Sequence, residues 1–282
     1  MIDRRVRYLQ LAFNDDAATA ERIVPTLPRD PRILIEAGTP FIKLEGMAGV
    51  RMLRLLWPGG LIADLKTTDG GTQEVAMVAE AGASAATVYG SCPTETLDRF
   101  IEACRCEEID CFIDMLGVAD PLHVMRRLRQ PPSAVVLHRG RDEENTRGKV
   151  IGYKHVARIR SKYDVAISAA GGVDLKEARS AIFNGANIVV VNIVAPGAPW
   201  EGIKSDGDVA ALARQFLTTI GSRPIEPGEH PAWDTSSIPS PGGRLARALT
   251  PTDSQRRQPD WLAVLRSVLR SLAEDSAKRR GR

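Results

Sequence analysis

The chain has 282 residues, 43% apolar and 26% charged, with a net charge of +3. That is the balance of a globular protein with a sizeable core, and its low aromatic and high alanine content favours helices on a Val/Ile sheet over an all-β design. From residue 221 onward there are eleven Lys/Arg against seven Asp/Glu, so the first 220 residues sum to −1 and offer no basic face for a nucleic-acid partner.

Met1-Ile2-Asp3-Arg4-Arg5 runs straight into a strand-like segment, which reads as no signal peptide. No apolar run approaches the ~20 residues that cross a bilayer, so a cytoplasmic chain without a membrane partner is expected. Strand-like runs then fall at 7–13, 32–36, 61–65, 84–88, 109–114, 134–138, 164–168 and 187–191. Helix-like stretches lie between and after them, near 15–24, 45–56, 71–81, 94–105, 121–129, 150–162, 174–183 and 206–220. Strict alternation calls for parallel strands with crossover helices, and eight units in this length predict a (β/α)8 TIM barrel of the α/β class over residues 1–220. A doubly wound sheet is disfavoured because no Gly-rich nucleotide fingerprint follows the first strand.

Cys92, Cys104, Cys106 and Cys111 have no common zinc spacing and read as reduced thiols. The remainder, 221–282, is predicted to be a C-terminal extension. Its Pro-rich part, 221–259, reads as a linker or arm. Residues 260–279 read as an amphipathic helix that Asp260 caps and that Trp261, Leu262, Leu265, Val268, Leu269 and Leu272 stripe.

In such a barrel functional groups sit at the C-terminal strand ends. Asn14, Glu36, Asp64 with Lys66 and Asp69, Asp114, His138 with Arg141, Gly171-Gly172 and Asn192 fall there. Strand alternation puts Asp64 and Lys66 on one side, facing the mouth. A lysine cation there stabilises an enolate or enediolate oxygen. Glu36 and Asp64, hard oxygen ligands on adjacent strands, suit Mg²⁺. The same groups also read as an ion-pair network closing the rim.

Ala63-Asp64-Leu65-Lys66-Thr67-Thr68-Asp69 resembles the DxKxxD motif of the orotidine-phosphate-decarboxylase superfamily. Ile35-Glu36-Ala37-Gly38-Thr39-Pro40, Leu9-Gln10-Leu11-Ala12 and Glu80-Ala81-Gly82-Ala83 are similar to the 3-hexulose-6-phosphate synthases of that superfamily. Ala170-Gly171-Gly172-Val173 resembles the seventh-strand phosphate loop. His138-Arg139-Gly140-Arg141-Asp142 is similar to the sister 3-keto-L-gulonate-6-phosphate decarboxylases.

The resemblance implies a Mg²⁺-dependent carbon–carbon lyase in which ribulose 5-phosphate forms an enediolate that adds to formaldehyde. It implies Glu36 and Asp64 as metal ligands, Lys66 on the enediolate oxygens and His138 as proton shuttle. It implies Asp69 as the group that orients Lys66, supplied across a homodimer interface. Arg141, Gly171, Gly172, Asn14 and Asn192 would meet a sugar-phosphate substrate. Two positions depart from the family pattern: Asn14 replaces an aspartate, and Asn192-Ile193 replaces the Gly-Arg or Gly-Gly that grips phosphate. Two further readings remain open, a keto-sugar-acid phosphate decarboxylase and a repurposed, non-catalytic barrel that binds a partner. The insert Pro196–Gly202 is expected to act as a lid with Trp200 as an apolar wall or to pack on the C-terminal arm, and His123, His155 and His230 to lie at the surface.

Overall fold

The computed structural model describes residues 1–221; the predicted linker and amphipathic helix lie outside the described residues. Eight parallel strands alternate with eight helices, as the hydrophobic runs predict. In chain order they are β1 (Tyr8–Phe13), α1 (Ala17–Ile23), β2 (Ile33–Ala37), α2 (Thr39–Leu56), β3 (Leu61–Thr67), α3 (Gly71–Glu80), β4 (Ala85–Tyr89) and α4 (Thr94–Cys106). They continue with β5 (Asp110–Asp114), α5 (Pro121–Met125), β6 (Ala134–His138), α6 (Val156–Arg160), β7 (Ala166–Ala170), α7 (Leu175–Phe183) and β8 (Ile188–Val194). A short β9 (Ile203–Lys204) and α8 (Val209–Ile220) complete them. Each strand pairs in parallel with the next, and β1 pairs back onto β8, with Leu9 opposite Val189 and Ala12 opposite Asn192. The sheet is therefore a closed barrel without free edges among these eight strands.

Strand alternation divides the core in two. Leu9, Leu11 and Phe13 of β1, Ile33 and Ile35 of β2, and Val189 and Val191 of β8 face the helices. Tyr8 and Ala12, Leu34, Ile62, Phe112, Val136 and Val190 fill the barrel interior. The interior is apolar low down and turns polar toward the C-terminal ends, where Glu36, Asp64, Thr87 and Asp114 are buried at inward positions. The mouth is thus a charged layer resting on a packed apolar plug.

The helix expected at 121–129 ends at Met125, and three further elements differ from the sequence reading. α2 begins at Thr39 rather than near 45, with Pro40 in its first turn, and breaks at Gly46, whose φ of 59° leaves helical space. β7 lies two residues later than expected, so the inward Ser168 and Ala170 precede the glycine turn. The helix expected at 150–162 is shortened to a 3₁₀ turn at Tyr153–His155 followed by α6. His155 is accordingly buried there, contrary to the surface placement expected, whereas His123 is exposed as predicted and His230 lies outside the described residues. Among the described residues no helix is long and apolar enough to cross a membrane.

Candidate active site

The site begins with an irregularity in β3. Ala63 pairs with Ala86 of β4, yet the next pair is Thr67 with Val88, so four residues advance on one strand against two on the other. The excess is absorbed at Lys66, which has φ 49°, a conformation that costs a non-glycine residue on the order of 1–3 kcal/mol. Such bulges re-aim a side chain. Asp64 and Lys66 do meet, as expected, but a kinked backbone brings them together in place of simple alternation. Lys66 N donates to Thr87 Oγ1 at 2.9 Å, which pins the bulge to β4.

Around it a dense network forms. Lys66 Nζ lies 2.6 Å from Asp64 Oδ2 and 3.0 Å from Asp114 Oδ2. Thr87 Oγ1 donates to Asp64 Oδ1 at 2.8 Å, and Thr39 Oγ1 lies 2.9 Å from Asp64 Oδ2. His138 Nδ1 faces the Asp114 carboxylate, 2.9 Å from Oδ2 and 3.1 Å from Oδ1. Gln10 Nε2 donates to Glu36 Oε2 from the layer below. β1 to β6 thereby all supply side chains to one network or its immediate support.

Burial and charge set the ionisation. Burial alone lowers the Lys66 pKa, but the charges of Asp64 and Asp114 outweigh it and raise the pKa, so the ammonium persists. Burial disfavours ionised Asp114, yet His138 and Lys66 hold it well below the usual carboxylate range. His138 is likewise opposed by burial, and the Asp114 charge and hydrogen bond carry its pKa above the ordinary imidazole value. Glu36 behaves in the opposite sense. Burial, then the nearby Asp64 charge, push it up to about 7 despite Lys66 and Gln10.

Asp69, which the resemblance supplies across a homodimer interface, does not meet Lys66 within the chain. It is exposed at the end of β3, and no hydrogen bond or ion pair joins it to Lys66. Within the chain Asp114, noted in the sequence only as a strand-end carboxylate, pairs with Lys66 beside Asp64. Thr87, Thr39 and Gln10 join the network without a charge to mark them in the sequence. Their signal was positional: Gln10 and Thr87 sit at inward sites of β1 and β4.

The remaining predicted residues line the rim. Asn14 Nδ2 donates to Asn192 Oδ1 at 3.1 Å, across the β1–β8 seam, so the two departures from the family pattern bind each other. Gly38 makes room for this, because a Cβ there would collide with Asn14 Oδ1. Arg141 stacks on the Trp200 ring, 4.6 Å from its centroid, and its charge reaches Asp15. Gly171 and Gly172 turn with φ of 100° and 60°, and among the described residues neither N–H is engaged in a hydrogen bond. Successive free N–H groups in such a turn form an anion-binding concavity.

As to a metal, no three His, Cys, Asp or Glu side chains converge as a cluster among the described residues. Mg²⁺, however, is ordinarily held by one or two carboxylates plus substrate and water. Glu36 and Asp64 fit that need: Glu36 is a buried carboxyl whose ionisation the Asp64 charge opposes, which a divalent cation would relieve.

The sequence profile of the Orotidine 5'-phosphate decarboxylase / HUMPS family matches residues 7–192. The chain is 34% identical over 221 residues to the bifunctional enzyme Fae/Hps of Methanothrix thermoacetophila, covering 78% of this chain and 54% of that protein. The same enzyme of Methanosarcina barkeri gives 34% identity with the same coverage. The chain thus spans about half the length of these curated relatives. Among solved structures, a 3-hexulose-6-phosphate synthase superposes with a TM-score of 0.65 at 27% identity, over 76% of this chain and 100% of that one. KGPDC from Streptococcus mutans in complex with D-R5P shares the fold, with a TM-score of 0.62 at 19% identity over 76% and 97% of the two chains. With the profile running from the start of β1 to the inward Asn192 of β8, the chain belongs to the Orotidine 5'-phosphate decarboxylase / HUMPS family.

Proposed function

We propose that this barrel is a carbon–carbon lyase of the 3-hexulose-6-phosphate synthase type, joining ribulose 5-phosphate to formaldehyde through an enediolate. The observation that carries the reading is Lys66 Nζ, fixed between Asp64 and Asp114 at the barrel mouth, with His138 held on the same Asp114 oxygen. The 34% identity to Fae/Hps enzymes and the likeness to a 3-hexulose-6-phosphate synthase support it.

The chain's own residues supply each step. Asp114 fixes His138 through Nδ1, which leaves Nε2 to take a proton from C1 of the ketose. The pair of electrons left behind spreads over C1, C2 and the C2 oxygen as an enediolate. The Lys66 ammonium, preset by two carboxylates, stabilises that developing negative charge. C1 then attacks the formaldehyde carbon, a C–C bond forms as the carbonyl π bond opens, and the new alkoxide takes back the proton held on His138 to give a hexulose 6-phosphate. Glu36 and Asp64 would hold Mg²⁺, which when bound supplies further positive charge beside the substrate oxygens. Gly171 and Gly172 would offer their N–H groups to the phosphate. Asp69, exposed in one copy, would reach Lys66 of a second copy in a homodimer.

One observation favours the decarboxylase reading: Arg141 is presented at the rim on Trp200, where a cation could meet a carboxylate or its product. The test is formaldehyde consumption by the full chain with ribulose 5-phosphate and Mg²⁺, run beside CO₂ release from 3-keto-L-gulonate 6-phosphate. Formaldehyde consumption that Lys66→Ala abolishes supports the synthase; CO₂ release alone replaces it with the decarboxylase; neither activity removes both.

A further inference from the structure

The glycine turn after β7 is not open. Arg139, at the end of β6, donates from Nη2 to the carbonyls of Gly171 and Gly172 at 2.9 and 3.1 Å. This fixes the turn by its C=O groups and leaves its N–H groups unengaged. Beside Gly172 lies the side chain of Glu144: a Cβ placed on that glycine would meet Glu144 Cδ and Cγ at 3.1 Å. Glu144 Oε2 accepts from Glu201 N at 3.1 Å, while its Oε1 is buried without a hydrogen-bond partner.

This is an uncomfortable carboxylate. A buried acceptor without a partner costs about 1–3 kcal/mol. It lies beside a turn with two free donors yet bonds to neither. The same loop is tied to the β8–β9 connection a second time, through Arg141 on Trp200. Two connections therefore meet beside the turn through one hydrogen bond and one stacked cation.

We propose that Glu144 gates this cradle. Its carboxylate occupies the place of an anion in the ligand-free chain and leaves when a phosphate enters. Phosphate brings enough acceptors for both glycine N–H groups, and its own charge expels Glu144, which frees Glu201 N and loosens the segment from Gly140 to Lys149. Arg139 is a positioning residue that holds the turn ready throughout. The inference rests on the phosphate-binding part of the proposed function and assigns its regulation to a residue outside the charged network around Lys66.

The test needs no turnover. Inorganic phosphate is titrated calorimetrically into the full chain at fixed ionic strength, for wild type, Glu144→Ala and Gly172→Ala. Removing a like charge from the cradle is expected to tighten phosphate binding roughly tenfold in Glu144→Ala. Gly172→Ala, which puts a methyl against Arg139 and Glu144 at φ 60°, is expected to abolish it. Wild-type binding with Glu144→Ala equal or weaker overturns the gate and leaves the phosphate site standing. Binding that survives in Gly172→Ala places phosphate elsewhere and overturns it too. No binding by any form overturns both the gate and the phosphate reading.

Discussion

Asp114 Oδ2 stands 3.0 Å from Lys66 Nζ and 2.9 Å from His138 Nδ1, so one buried carboxylate bridges the two groups to which the proposed chemistry gives opposite tasks. A cation that must stay charged and a base that must shed its proton share a single anion. Asp114→Asn would leave both without it. We expect kcat to fall about 10²–10⁴-fold. Breaking the buried network is also expected to destabilise the fold by about 3–5 kcal/mol. Near-native kcat in Asp114→Asn, measured with the fold verified by circular dichroism, would show that the bridge is structural only.

The pH dependence follows from His138. Its pKa in the folded chain is raised by Asp114 against the pull of burial. The stability contributed by the His138–Asp114 pair is therefore complete below about pH 6.5, the unperturbed value, and is lost as pH rises through the raised one. Catalysis has the opposite sign, since Nε2 accepts a proton only when the ring is neutral. The acid limb of kcat/KM should lie above pH 6.5 and vanish in His138→Gln. A limb at the unperturbed value would sever the coupling to Asp114.

Glu36 gives a separate pH signature. Pushed up to about 7, it retains its proton in the folded chain where the unfolded chain has lost it. Its contribution to stability is full below the ordinary glutamate value and fades as pH rises through 7. A bound Mg²⁺ would offset that loss, so the gain in Tm from Mg²⁺ should grow between pH 6 and 8. Glu36→Gln should remove both the loss and the gain, and be more stable than wild type at pH 8 by on the order of 1–3 kcal/mol. A Mg²⁺ effect that is flat with pH, or intact in Glu36→Gln, would move the metal away from Glu36.

Most of the barrel was legible because buried parallel strands write themselves as apolar runs: every predicted strand is found within two or three residues of its place. The errors arise where the backbone leaves its regular period. Lys66 was expected to join Asp64 by alternation, but the meeting depends on a bulge that no hydrophobic pattern encodes. Asp69 shares a motif with Lys66 and is legible in the sequence, whereas Asp114 shares none. Asp114 comes from another strand, and only the closed barrel brings it to the lysine. Glu144 had no sequence signal at all, since its position beside Gly172 is set by a loop of irregular structure.

Asp69 remains the test of assembly. If it completes the site of a second copy, mixtures of Lys66→Ala and Asp69→Ala, each inactive alone, should recover up to about a quarter of wild-type activity, from the one intact site of each mixed dimer. Recovery that never rises above the sum of the two variants would confine Asp69 to its own chain or to the surface.

The enediolate itself can be watched by proton exchange. The full chain is incubated with ribulose 5-phosphate and Mg²⁺ in D₂O without formaldehyde, and C1 is followed by NMR. One C1 hydrogen is expected to be replaced by deuterium, Lys66→Ala to abolish this while retaining the fold, and added formaldehyde to divert the signal to product. A C1 position that keeps both hydrogens in the presence of bound ribulose 5-phosphate would contradict the enediolate.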